Sequence, residues 1–239
     1  MAVSTQRLAE VFVEIADTLI GEFDLIEFLS LVTTRTAEVV ASDAAGLVLV
    51  DKQGQLRFMA ASDETTKLLE LFQVQHDEGP CLDCFRGEAP VVNADLAEAD
   101  AQWPVFAPRA VEAGFRSVHA VPLRVRGTAI GALNLFDATT GRLETADVHV
   151  AQALADVATI GLMQARTIRR AENLAEQLQE ALNSRIVLEQ AKGAVAVYHR
   201  GDVGHAFDLI RAYARRNNRT LSDVARSLLD DHERIATLG

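Results

Sequence analysis

Between Arg7 and Thr36, apolar side chains recur every three or four positions, at Val11, Ile15, Leu19, Phe23, Ile26, Leu29 and Val32, which predicts a helix. The period then changes. Ala44 to Val50 is a short apolar run, Asp51-Lys52-Gln53-Gly54 reads as a turn, and Gln55 to Ala60 follows as a second strand, so the pair predicts a β-hairpin. Thr65 to Phe72 returns to helical spacing, Gly79-Pro80 breaks it, Val91-Val92 opens an extended segment, and Pro104 to Ala113 fits one more helix before Gly114. The clearest strand signal runs from Ser117 to Phe136, two extended runs on either side of Arg126-Gly127, which predicts a long hairpin. Gly131 inside the second run points to a bulge or to close approach of a neighbouring backbone. Strands flanked by helices at both ends define an α+β domain.

From Leu143 onwards helix breakers are nearly absent over many turns, Gly161 and Gly193 excepted. Ala171, Leu174, Leu178, Ala181 and Leu188 form a narrow apolar seam, while Arg169, Arg170, Glu172, Glu176, Gln177 and Glu180 occupy the other faces. A long helix with so narrow a seam fits a two-chain coiled coil and predicts a homodimer; packing on the chain's own domains is the alternative. The C-terminal segment fits three helices, about Ile186 to His199, Gly204 to Asn217 and Leu221 to Asp231. Asp202 is placed to cap the second, and Thr220-Leu221-Ser222-Asp223 resembles a capping box for the third. Ala206, Leu209, Ile210 and Ala214 would pack inward with Val195, Val224 and Leu228.

Charge sharpens this division. The chain has a formal net charge of −11, which argues against a general nucleic-acid binder. Yet from Arg185 to Leu229 eight basic residues face four acidic ones, a net +4 that leaves −15 on the remainder. A compact basic segment on an acidic chain suits local contact with phosphates, or else forms a solvated helical face. Arg211 and Arg215 share a face at a spacing of four, with Arg219 a further four along at or beyond the helix end. Lys192, the only lysine after Lys67, precedes Gly193, which would let a backbone approach closely. Tyr198 and Tyr213 suit either stacking on unpaired bases or core packing.

Two resemblances follow from these residues. Gln190-Ala191-Lys192-Gly193, Ala206-Phe207, Arg211-Ala212-Tyr213-Ala214-Arg215 and Asp223-Val224-Ala225 resemble the ANTAR domain, a helical module that binds hairpins in nascent RNA and prevents transcription termination. The resemblance implies Ala191, Lys192, Gly193, Ala206, Phe207, Arg211 and Ala214 as signature residues. Lys192, Gly193 and Arg211 would face RNA, with Arg215 and Arg219 adding phosphate affinity, and Phe207 with the alanines would be core. Ala194-Val195-Ala196-Val197 is smaller than the apolar residues common there. Ahead of it, Ala45-Gly46-Leu47-Val48-Leu49-Val50, Gly79-Pro80-Cys81-Leu82 and the Val121-Pro122-Leu123…Gly127…Gly131-Ala132-Leu133-Asn134-Leu135 pattern resemble a GAF domain. That implies an antiparallel sheet with helices on one face and a ligand-sized pocket on the other, the small-molecule ligand unassigned. The expected organisation is a GAF-like sensor over residues 1–163, a coiled-coil helix over 164–184 and an ANTAR-like module over 185–239.

No P-loop, Gly-x-Gly-x-x-Gly, nucleophile-elbow serine or His-Glu-x-x-His appears, so no enzyme is expected. Asp51 stands beside Lys52 rather than in an acidic cluster, which removes a phosphoacceptor receiver. No apolar run spans a bilayer and no signal peptide is visible at Met1 to Arg7, so a cytoplasmic protein without membrane contact is expected. Cys81 and Cys84 allow three readings: a structural or pocket-lining pair, a redox couple, or half a metal site completed by His76 and His119. The leading function is an antitermination regulator that binds RNA hairpins, itself and possible contacts on RNA polymerase. The runner-up is a redox or ligand sensor whose helical tail docks a protein.

Overall fold

The protein is described by a computed structural model covering residues 5–19, 24–140 and 143–238. It divides into two compact units, Met1–Arg166 and Thr167–Gly239.

The first unit opens with α1 (Thr5–Asp17) and α2 (Leu25–Val40), where the periodicity alone predicts one continuous helix. Asp24 makes the difference. Its carboxylate accepts hydrogen bonds from the Ile26 and Glu27 amides at 2.8 and 2.9 Å, satisfying the free donors of a new helix start. Phe23, expected in the apolar seam, lies outside the described residues. Val11 and Ile15 of α1 are fully buried, and Arg35 of α2 reaches back to Glu14 at 2.6 Å.

Five strands follow: β1 (Ala44–Val50), β2 (Leu56–Ala61), β3 (Val91–Asp95), β4 (Ser117–Val125) and β5 (Thr128–Asp137). They form one antiparallel sheet in the order β2-β1-β5-β4-β3. Arg126 and Gly127 both take positive φ, 54° and 89°, as a two-residue hairpin turn that matches strand twist requires. Gly131 faces Leu49 of β1, and any Cβ there would collide with the Val48 carbonyl oxygen. Close backbone approach therefore explains that glycine.

Both sheet faces are covered, by residues that alternate along the strands. Ala45, Leu47 and Leu49 face α2 and the first turns of α6 (Thr145–His199), packing with Phe28, Leu29, Leu154 and Ala158. Gly161 of α6 admits the Phe28 ring, which a Cβ would strike. On the opposite face lie α3 (Glu64–His76), α4 (Pro80–Gly87) and α5 (Phe106–Glu112). There Trp103, Phe106, Phe115 and Phe136 form one cluster, and Cys81, Leu82, Cys84, Val48 and Ala132 another.

In the second unit α6 continues to His199 and is followed by α7 (Val203–Arg216), α8 (Leu221–Asp230) and a 3-10 turn over His232–Leu238. Both anticipated caps form: Asp202 accepts from the His205 amide at 2.7 Å, and Thr220 from the Asp223 amide at 3.1 Å. Ala191, Val195, Ala206, Ile210, Ala214, Val224, Ala225 and Leu228 make the core, and alanines let the helices approach closely. The 3-10 turn, not anticipated from the sequence, closes that core with Ile235 and Leu238. Leu188, expected in the coiled-coil seam, packs partly against it instead. From Arg166 to Asn183 every residue of α6 is exposed, leaving Leu174, Leu178 and Leu182 each more than half exposed.

Candidate nucleic-acid interface

In the second unit Lys192 stands on α6, and Arg211 and Arg215 stand on α7. Lys192 Nζ contacts both carboxylate oxygens of Glu189, one turn earlier on α6, at 2.9 Å each. It also lies 5.8 Å from the ring centroid of Phe207 on α7, a cation–π arrangement. Phe207, expected among the core residues, is only half-buried and stands apart from the buried cluster that holds Ala191, Ala206 and Ala214. Arg211 follows Phe207 by one turn and Arg215 by two, so the ring and both guanidinium groups share one row. Both arginines are exposed, and among the described residues no carboxylate lies within ion-pair distance of either. A Cβ on Gly193 would meet nothing within 4 Å, which leaves the surface beside Lys192 open to an incoming backbone.

Arg219 sits beyond the end of α7 and donates from Nη2 to the Asp223 carbonyl at 3.2 Å, so it does not extend the Arg211–Arg215 row. Tyr213 packs partly against the core, whereas Tyr198 is exposed and stands edge-on to His199. Two participants, Glu189 and Phe207, escape a sequence reading centred on cations. The signal for Glu189 was its spacing of three from Lys192; nothing local distinguishes Phe207 from a core aromatic.

The cysteines of the first unit lie elsewhere. Cys81 and Cys84 are free and fully buried on α4. Burial pushes the Cys84 thiol up to about 12 and the Cys81 thiol well above its ordinary range, where nearby Glu70 adds to the effect. Both thiols are therefore held protonated, which removes the nucleophilic thiolate that disulfide chemistry needs. Intact protein is expected to react with iodoacetamide at neutral pH only slowly, with both thiols becoming labelled on denaturation; rapid labelling of folded protein would contradict this burial. His119 is buried elsewhere on the sheet, its Nδ1 accepting from the Asn93 amide and its Nε2 3.3 Å from Asp137, while His76 is exposed on α3. Among the described residues no group of three His, Cys, Asp or Glu side chains is placed to hold a metal ion.

Beside Cys81 lies a buried polar cluster. Glu70 of α3 accepts from Asn134 of β5 at 2.6 Å and from Gln73 at 3.3 Å, and Gln73 accepts from the Cys81 amide at 3.2 Å. Gln73 thereby caps α4, whose N-cap residue, Gly79, has no side chain for the purpose. The Glu70 carboxyl fills the space over Gly46, and burial raises its pKa to about 8.

A five-stranded antiparallel sheet with helices on both faces, followed by a helical module with an open basic row, defines a sensor fold joined to a nucleic-acid-binding one. The GAF domain model matches residues 24–163, and the ANTAR domain model matches residues 176–229. The chain belongs to the GAF domain family and carries an ANTAR domain behind it. No curated protein matches the chain. Among solved structures, the GAF domain of the Acinetobacter phosphoenolpyruvate-protein phosphotransferase is 16% identical, with a TM-score of 0.54 over 69% of this chain and 97% of that one. The corresponding domain from Coxiella burnetii is 20% identical, with a TM-score of 0.54 over 70% and 99%. Free methionine-R-sulfoxide reductase from Neisseria meningitidis is 18% identical, with a TM-score of 0.52 over 69% and 95%. At these identities the likeness is one of fold. GAF domains are sensors and ANTAR domains are RNA-binding antitermination regulators, so the chain is a regulator of that general kind. Among the described residues no helix is long and apolar enough to cross a membrane.

Proposed function

We propose that this protein binds hairpins in nascent RNA through Lys192, Gly193, Arg211 and Arg215, with a lesser contribution from Arg219, and prevents transcription termination in response to a signal received by its GAF domain. It acts in the cytoplasm without catalysing a reaction, close enough to RNA polymerase to contact it. The observation that carries this reading is the Arg211–Arg215 row, without a carboxylate partner among the described residues, beside Lys192 and the open surface at Gly193, on a chain that is otherwise acidic. In this reading residues 1–163 sense, 164–184 link and 185–239 bind RNA. Purified protein should bind tandem hairpins, and affinity should fall steeply across a salt series as phosphate contacts are screened. Absence of hairpin binding at low salt would favour a helical tail that docks a protein partner.

The same proposal includes a homodimer through α6. Eighteen residues of helix with Leu174, Leu178 and Leu182 in water would be marginal alone, and a partner helix covers that seam. Two RNA modules on one dimer would then raise each other's effective concentration at tandem hairpins. Light scattering should give twice the chain mass, and Leu174→Asp with Leu178→Asp should give a monomer that binds tandem hairpins more weakly. A monomeric wild type at tens of micromolar would refute the dimer.

A further inference from the structure

Among the eight Lys and Arg side chains from Arg185 to Arg226, Lys192 alone makes an ion pair within the described residues. It is also partly withdrawn from water: its side chain retains 17% of its exposure, against 56% for Glu189. One flank of the ammonium carries the Phe207 ring and another the Glu189 carboxylate, both of whose oxygens are engaged. A partly desolvated ammonium left without an anion is costly, so some anion has to stand there. A carboxylate and a phosphate present similar oxygens to an ammonium, and the two cannot occupy the same side of Nζ together.

We infer that Glu189 is the resident anion of the Lys192 site, which an RNA phosphate displaces on binding, and that Phe207 is the positioning residue that keeps the ammonium facing that place. This inference rests on the RNA-binding reading. Its consequence is a division of labour. Arg211 and Arg215, without an ion pair among the described residues, attract any phosphate chain, whereas Lys192 is yielded only to RNA whose backbone is placed well enough to replace Glu189. Glu189 thus lowers affinity for polyanions in general and sharpens the choice among them.

The test is a double-mutant cycle in the full chain, with hairpin RNA titrated across a salt series against wild type, Glu189→Gln, Lys192→Met and the double variant. Glu189→Gln should tighten binding by about two- to fivefold, the scale of an exposed ion pair. It should also steepen the salt dependence, and most of the gain should vanish in the Lys192→Met background. Phe207→Leu should weaken binding several-fold with unchanged circular dichroism, and Phe207→Trp, which keeps a cation–π face, should restore it. An equal gain in both lysine backgrounds would mean that Glu189 acts only through the general field and would overturn the inference, as would no gain at all. Failure of wild type to bind hairpins would overturn the RNA-binding reading as well, so the two failures are distinguishable.

Discussion

Lys192→Ala and Arg211→Ala should each cost hairpin binding on the order of 1–3 kcal/mol where the side chain reads a base, with circular dichroism unchanged. The expectation comes from where the structure puts the two cations. Lys192 has its ammonium against Phe207 and open surface at Gly193, and Arg211 stands one turn beyond that ring with no carboxylate partner among the described residues. Each also neutralises phosphate charge, so each loss should flatten the dependence of log affinity on log salt by about one. Arg215→Ala should show the same change in slope with a smaller loss of affinity. Arg219→Ala should show less still, because that side chain lies past the end of α7 and is tied to the Asp223 carbonyl. Neither Lys192 nor Arg211 belongs to the buried cluster of the unit, which is why the fold should survive. Wild-type affinity in both folded variants would leave the protein-docking reading ahead.

The elements that sequence made legible are those whose signals are local. Arg126-Gly127 demands a turn with two positive φ values, Asp202 and Thr220 offer oxygens to free amides, and the apolar run from Ala44 to Val50 marks a strand. Apolar spacing does not show the separation of α1 from α2 because it is blind to a cap: the seam keeps its period across Asp24, where the extended backbone starts a new helix. The 3-10 turn that closes the C-terminal core carries too short a pattern to stand out from loop. For the site, the cation row was readable from a spacing of four. What holds those cations is less legible: Glu189 shows only its spacing of three from Lys192, and Phe207 acquires its meaning only when α7 is laid against α6. The buried face of α3 was hidden by its own chemistry. Thr66, Leu69, Glu70 and Gln73 are its buried positions, spaced as an apolar stripe would be, but three of the four are polar.

That polar stripe leads to the largest stability effect expected in the first unit: Glu70→Gln should raise its unfolding temperature above neutral pH. Glu70 is fully buried, against Asn134 of β5 and Gln73 of its own helix, over Gly46 of β1 and beside Cys81 of α4. Of these neighbours only Cys81 titrates, its thiol is held neutral, and none supplies a cation. Burial therefore raises the Glu70 pKa from its ordinary 4.5 to about 8, opposed only in part by the Asn134 hydrogen bond. The sign follows directly. Between pH 4.5 and about 8 the folded chain keeps a proton that the unfolded chain has released, so each step up in pH favours unfolding. The stability Glu70 contributes as a neutral acid is full below the ordinary carboxylate range and is lost as pH rises through about 8, a swing of several kcal/mol at most on the scale of 1.36 kcal/mol per pKa unit. Glutamine keeps the shape and carries no proton to lose, so the variant should lack that decline. Trp103 is the only tryptophan of the chain; it is buried in this unit and donates to Asp83 of α4, so its fluorescence reports this unfolding apart from the C-terminal module. Melts of the two proteins followed by Trp103 should coincide near pH 5 and separate progressively up to about pH 8, and parallel curves across that window would show that Glu70 meets water or a cation in the folded protein.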